Sequence, residues 1–218
     1  VLAEDLVQVT MRRKPQPHGP DLSDAEFPSC AVVKHNRFGI NVQFIESSTD
    51  ICLLTEKIRV HISKSPIRIG FHRPDGAPIC LDTLTSGMGW TEDGAACFKT
   101  LPAGTRFYGF GERTGYLDKR GTALTMWNTD TTLHSPSTDS LYVSVPFFIG
   151  FDGNQAYGVF LDSPGKCTFD MGKTSPCDYM FATTGEKLDY YFFAGPDIKG
   201  VVAQYAELTG TMELPPLW

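Results

Sequence analysis

The chain has 218 residues, 41% hydrophobic and 20% charged, close to ordinary globular usage and far from a disordered or collagen-like chain. Its formal net charge of -6 disfavours attraction to phosphate backbones, and no run of Lys and Arg interleaved with aromatics offsets it, so nucleic acid is excluded as an expected partner. The longest apolar runs, such as residues 143–151, fall far short of the roughly 20 residues that span a bilayer, so no transmembrane helix is expected.

The first residues, Val1-Leu2-Ala3-Glu4-Asp5, contain no initiator Met, basic segment or sustained apolar run, so no signal peptide is visible and a cytoplasmic origin is expected. Residues 12–27 hold Pro15, Pro17, Gly19 and Pro20, with Pro28 close behind, and read as a long surface excursion. Residues 37–44 alternate, with Phe38, Ile40, Val42 and Phe44 on one face, which predicts a half-buried strand. The same period recurs at residues 58–62 and 66–71, and Arg73-Pro74-Asp75-Gly76 then supplies a hairpin turn through proline's fixed φ and glycine's access to positive φ. Further strands are expected at 97–101, 106–110, 141–149, 156–161, 178–182 and 188–193.

One amphipathic helix is predicted, where Ile198, Val201, Val202, Tyr205 and Leu208 form a stripe, with Pro196 and Asp197 at its first turn and Gly210 past its end. The closing Leu214-Pro215-Pro216-Leu217-Trp218 is apolar, and more chain is expected to follow it in a parent protein. A dozen or so strands exceed a small barrel and predict an all-β fold, a large two-sheet antiparallel β-sandwich with a C-terminal helix. Cys30, Cys52, Cys80, Cys97, Cys167 and Cys177 lack metal or C-x-x-C spacing and are expected as free, mostly buried thiols. His18, His35, His61, His72 and His134 share no metal or triad spacing.

Three segments could carry chemistry. Residues 107–115, Phe-Tyr-Gly-Phe-Gly-Glu-Arg-Thr-Gly, do not match a phosphate loop and lack a following helix; the expectation is a strand edge with Glu112 and Arg113 in a local ion pair or hydrogen-bond network. Residues 124–132 put Trp127 beside Asn128, Thr129 and Asp130, the mixture of aromatic face, amide, hydroxyl and carboxylate that a sugar pocket requires. The same composition describes a plain loop in which Asn128 and Asp130 bond their own backbone and Trp127 belongs to the core. In residues 157–165, a buried strand runs into a turn shaped by Asp162 and Ser163.

The order of Phe107 to Arg113, Trp127-Asn128-Thr129-Asp130, Pro146-Phe147-Phe148, Tyr157 to Asp162, Tyr190-Tyr191-Phe192, Gly195-Pro196 and Pro215-Pro216-Leu217-Trp218 resembles the N-terminal domain of family 31 glycoside hydrolases of the α-glucosidase type. The resemblance is clear over residues 106–218 and looser before them. It implies a galactose mutarotase-like sandwich over residues 1–195, then a helix and the start of a connection into a (β/α)8 catalytic barrel over 196–218. It implies retaining cleavage of α-linked sugars by two carboxyls about 5 Å apart, with no metal or organic cofactor.

The family's nucleophile motif is not in this sequence; Asp170-Met171 runs on into Gly172-Lys173. No catalytic residue is therefore expected here, and these residues alone are expected to be inactive. The implied partners are an α-linked sugar substrate and the following barrel of the parent chain. Asp130 matches an aspartate that reaches over the barrel mouth in the family, which makes Asp130, Trp127, Asn128 and Thr129 the candidate substrate-binding residues. Thr129 stands where some relatives carry Arg. The alternatives are a free-standing carbohydrate-binding module and, lacking a recognisable His motif, an aldose epimerase.

Overall fold

A computed structural model of the chain describes residues 1–13, 29–33 and 40–216. The expected excursion at 12–27 falls mostly outside the described residues. Residues 37–39 of the expected 37–44 strand, His18, His35, Leu217 and Trp218 also lie outside them.

Fifteen strands and one helix are described. In chain order the strands are β1 (Leu6–Arg12), β2 (Gln43–Glu46), β3 (Asp50–Leu54), β4 (Arg59–Lys64), β5 (Ile67–His72), β6 (Pro78–Leu81), β7 (Met88–Trp90) and β8 (Ala95–Thr100). Then come β9 (Arg106–Gly111), β10 (Ala123–Met126), β11 (Ser144–Phe151), β12 (Ala156–Leu161), β13 (Cys167–Asp170), β14 (Asp178–Thr183), β15 (Lys187–Gly195) and helix α1 (Ile198–Thr209).

The strands make three antiparallel sheets of five, ordered β1-β15-β12-β11-β9, β10-β13-β14-β8-β7 and β2-β3-β4-β5-β6. The first sheet is one wall of the sandwich. The other two face it together and are joined where Asp82 bridges to Lys99. The expected second sheet is thus two ladders. Aromatic side chains close the space between the walls: Phe71 stacks on Phe192 with centroids 3.8 Å apart, Phe181 meets Tyr190 edge-on at 5.2 Å, and Phe148 meets Phe169 at 6.0 Å. Rings of this kind bury a large apolar area and prefer these offset or edge-on contacts.

The run Tyr190-Tyr191-Phe192-Phe193 is buried at every position because β15 is covered on both faces. Tyr190 and Phe192 enter the sandwich core, while Tyr191 and Phe193 join a second core under α1. There Tyr205 stacks on Phe147 at 4.0 Å. The Asp197 side chain caps α1 by accepting from the Gly200 N–H, as an N-cap should, and Gly210 follows its end. Val202 departs from the expected stripe: Val201 and Leu208 are buried, but Val202 points outward and is 47% exposed.

The hairpin at Arg73 to Gly76 forms as expected, with Gly76 at φ 91. Of the strand expected at 37–44, the described residues 40–42 are not in a strand: pairing begins at Gln43, and Phe44, placed on the buried face by its period, is exposed at the sheet edge. All six cysteines are free, but burial holds for Cys80, Cys97 and Cys167; Cys52 is half-buried and Cys30 and Cys177 are exposed.

Candidate functional site

Between β10 and β11 the chain leaves the sandwich for residues 127–143, and this loop carries the four candidate residues. Met126 is buried at its root by pairing with Cys167, and Leu141 is buried near its return. Between them the loop is bound to itself. The Thr129 N–H donates to the Leu141 carbonyl at 2.8 Å, the Thr131 hydroxyl to the Ser140 carbonyl at 3.2 Å, and the Tyr142 hydroxyl to the Thr131 carbonyl at 2.9 Å.

Trp127, Asn128, Thr129 and Asp130 are all exposed. Trp127 is therefore not core: 56% of its surface meets solvent although it follows a buried strand end. Asn128 accepts the Ser144 N–H at 2.7 Å, tying the loop's first residues to the first residue of β11 rather than bonding its own backbone. The Thr129 hydroxyl donates to the Trp127 carbonyl. Asp130 lies beside Tyr142, whose hydroxyl pKa is raised by loss of solvent and then by the nearby Asp130 carboxylate. The arrangement presents one carboxylate, one phenol and one indole face from a braced loop, groups that accept hydroxyl hydrogen bonds and stack on sugar C–H surfaces.

An open cavity of about 300 Å³ lies against this loop, lined by Trp127, Asn128, Ser144, Pro146 and the turn Ser163-Pro164-Gly165 among others. The turn after β12 and the loop after β10 are far apart in sequence. They meet because Met126 pairs with Cys167. Ser163 does shape that turn: its hydroxyl accepts the Gly165 N–H and bonds Thr183, while the Asp162 carboxylate accepts the Ser29 hydroxyl from a distant segment.

A second cavity of about 250 Å³ is formed by the first motif, from Gly109, Gly111, Arg113, Gly115, Tyr116, Leu117 and Lys119. Among the described residues no carboxylate lines either cavity. Arg113 pairs with Asp139 at 3.6 Å instead of with Glu112, its neighbour in sequence. Asp139 and Tyr142 are the residues that sequence reasoning missed, since their importance depends on how the loop closes; the signal nearest to them is the Gly-rich run ending at Gly115. Among the described residues no group of three or more His, Cys, Asp or Glu side chains is placed to hold a metal ion. No helix among them is long and apolar enough to cross a membrane.

Residues 1–170 match the model of the glycosyl hydrolase 31 N-terminal galactose mutarotase-like domain. The chain is 41% identical over 192 residues to alpha-glucosidase 2 of Bacillus thermoamyloliquefaciens, covering 87% of this chain and 24% of that protein. It is 28% identical over 193 residues to the isomaltosyltransferase of Sporosarcina globispora, covering 82% of this chain and 17% of that one. Its fold superposes on the Flavobacterium johnsoniae GH31 dextranase complexed with isomaltotriose with a TM-score of 0.85 at 26% identity, over 98% of this chain and 25% of that chain. The chain thus spans about a quarter or less of the length of these relatives. It belongs to glycosyl hydrolase family 31, as the family's N-terminal galactose mutarotase-like domain.

Proposed function

We propose that this chain is the scaffold and substrate-loop domain of a retaining α-glycosidase, with residues 1–195 as the sandwich and 196–218 leading into a catalytic barrel. The carrying observation is Asp130: an exposed carboxylate on a loop braced by hydrogen bonds on both of its limbs, beside Trp127 and Tyr142. In the assembled enzyme Asp130 accepts hydrogen bonds from substrate hydroxyls; an ionised acceptor makes these about twice as strong as a neutral one would. Trp127 supplies a stacking face, and Asn128 and Thr129 hold the loop's entry in register.

The reaction itself needs two carboxyls facing each other across a glycosidic bond at about 5 Å. Among the described residues no carboxylate lines either of the two cavities beside this loop and the first motif, which supports a division of labour in which the nucleophile and acid/base come from the barrel. Alpha-glucosidase and dextranase relatives support an α-linked oligosaccharide as substrate. Six free thiols fit a reducing, cytoplasmic compartment, which fractionation of the source cells tests.

The kinetics of the full-length enzyme test the site. Asp130→Ala is expected to lower kcat/KM on an α-linked disaccharide by about tenfold or more, the loss of a charged hydrogen bond worth about 1.5–3 kcal/mol. The 218-residue chain by itself is expected to give no turnover of an aryl α-glucoside. Unchanged kinetics in Asp130→Ala, or turnover by the chain alone at the rate of the full enzyme, would overturn the reading.

A further inference from the structure

Arg113 sits at the end of a contorted strand. Gly109, Phe110 and Gly111 have φ of 112°, 72° and 78°, three successive residues in left-handed backbone, one of them a fully buried phenylalanine. Such strain persists only where the surroundings enforce it. Its result is that the Arg113 side chain, flanked in sequence by the exposed Glu112, turns inward and is only 2% exposed.

The buried guanidinium spends its donors on the frame of the substrate-facing loop. Nε donates to the Phe110 carbonyl at 3.1 Å and Nη1 to the Asp139 carbonyl at 2.7 Å. Nη2 donates to the Ser144 hydroxyl and to the Met126 sulfur, each at 3.0 Å. Met126 is the root of the loop's outgoing limb, and Asp139 and Ser144 lie on its return. The Asp139 carboxylate closes the same frame by accepting the Thr125 N–H with both oxygens, at 3.0 and 2.8 Å. From there the path to Asp130 is short. Ser140 and Leu141, next to Asp139, hold Thr131 and Thr129, the residues on either side of Asp130.

We propose that Arg113 is the positioning residue of this loop, clamping its two limbs together so that Asp130 stands where substrate hydroxyls meet it. The inference rests on the substrate role of Asp130 proposed above. A planar fork of five donors is suited to this task and a lysine is not, because a point charge cannot reach carbonyl, hydroxyl and sulfur partners in several directions at once.

The test compares Arg113→Met, Arg113→Lys, Asp130→Ala and the Arg113→Met/Asp130→Ala double variant in the full-length enzyme, with an α-linked disaccharide as substrate. Arg113→Met is expected to raise KM and lower kcat/KM about tenfold, since a misplacement on the order of 1 Å can cost more than that. Arg113→Lys is expected to recover part of the loss. On the Asp130→Ala background the effect of Arg113→Met on kcat/KM should vanish, because the arginine acts through the aspartate.

If Asp130→Ala is impaired while Arg113→Met keeps its KM, or loses as much on the Asp130→Ala background as on the native one, the positioning role falls and the role of Asp130 stands. If Asp130→Ala is silent, both fall. Should Arg113→Met fail to fold, Arg113→Lys and Asp139→Asn, each alone and combined with Asp130→Ala, decide the question by the same criterion.

Discussion

His72 lies at the end of β5 on the outer face of its sheet, where its ring covers the space above Gly70. Its Nδ1 is buried and has no hydrogen-bond partner among the described residues. Loss of solvent lowers its pKa below the ordinary 6.5, and the nearby charges of His61 and Arg59 push the same way. The folded state therefore takes up its proton at lower pH than the unfolded chain does. The contribution of neutral His72 is fully present above 6.5 and is lost as pH falls through the folded value, because below 6.5 the unfolded chain binds the proton first. Denaturant midpoints measured between about pH 7.5 and 5 should fall with acidity in the native chain. In His72→Gln, which has no proton to bind, the slope should be smaller.

At the scale of the element, β9 shows how a strand end is shaped by what faces it. A Cβ on Gly109 would stand 2.7 Å from the Phe147 carbonyl oxygen and 3.2 Å from the Phe148 Cα, both backbone atoms of β11 that cannot swing aside. Gly121 also has positive φ, at 78°, but nothing lies within 4 Å of its Cβ position. The two sites separate backbone strain from collision. Gly121→Ala should cost about 1 kcal/mol, the penalty of left-handed backbone alone. Gly109→Ala should cost about 3 kcal/mol or more, since strain and clash combine. Equal shifts in denaturation midpoint would show that β11 yields at no cost.

The same scale decides what could be read in the sequence. β12 was legible to the residue, because its apolar run is framed by turn formers on both sides. β1 was not. Leu6 enters the core under α1 and Val7 enters the sandwich core, so burial on both faces erases the alternation, and its partner β15 lies at the other end of the chain. β3 fails for a similar reason, with every residue half-buried. In the candidate site, Trp127 to Asp130 stood out by composition. Arg113 and the Ser163 turn stood out as separate segments but not as neighbours of that loop, and Asp139 not at all, because what joins them is the β10–β13 register and the return of a long loop, and neither leaves a periodic mark on one sequence.

For the whole molecule the critical place is the seam of the divided wall. Asp82 and Lys99 pair across it at 2.6 Å with both side chains buried. Asp82 also accepts the Ile69 N–H at 2.8 Å, and Lys99 reaches the Tyr190 hydroxyl at 3.3 Å on the facing sheet. Three sheets meet in this one cluster, between the stacked Phe71–Phe192 pair and the Phe181–Tyr190 contact. Desolvation opposes the Lys99 charge but is outweighed by its buried surroundings, in which Asp82 is the anion, and its pKa is raised.

A buried pair of this kind adds little net stability over an apolar substitute, but breaking it from one side leaves an uncompensated charge. Lys99→Met should therefore destabilise the chain by about 3–5 kcal/mol. Lys99→Met combined with Asp82→Asn should cost less than Lys99→Met alone, because the amide removes the stranded charge and its oxygen can still accept the Ile69 N–H. Denaturant unfolding of the native chain and the two variants distinguishes the cases: a double variant no more stable than Lys99→Met would mean that the seam depends on the ion pair itself rather than on avoiding a lone buried carboxylate.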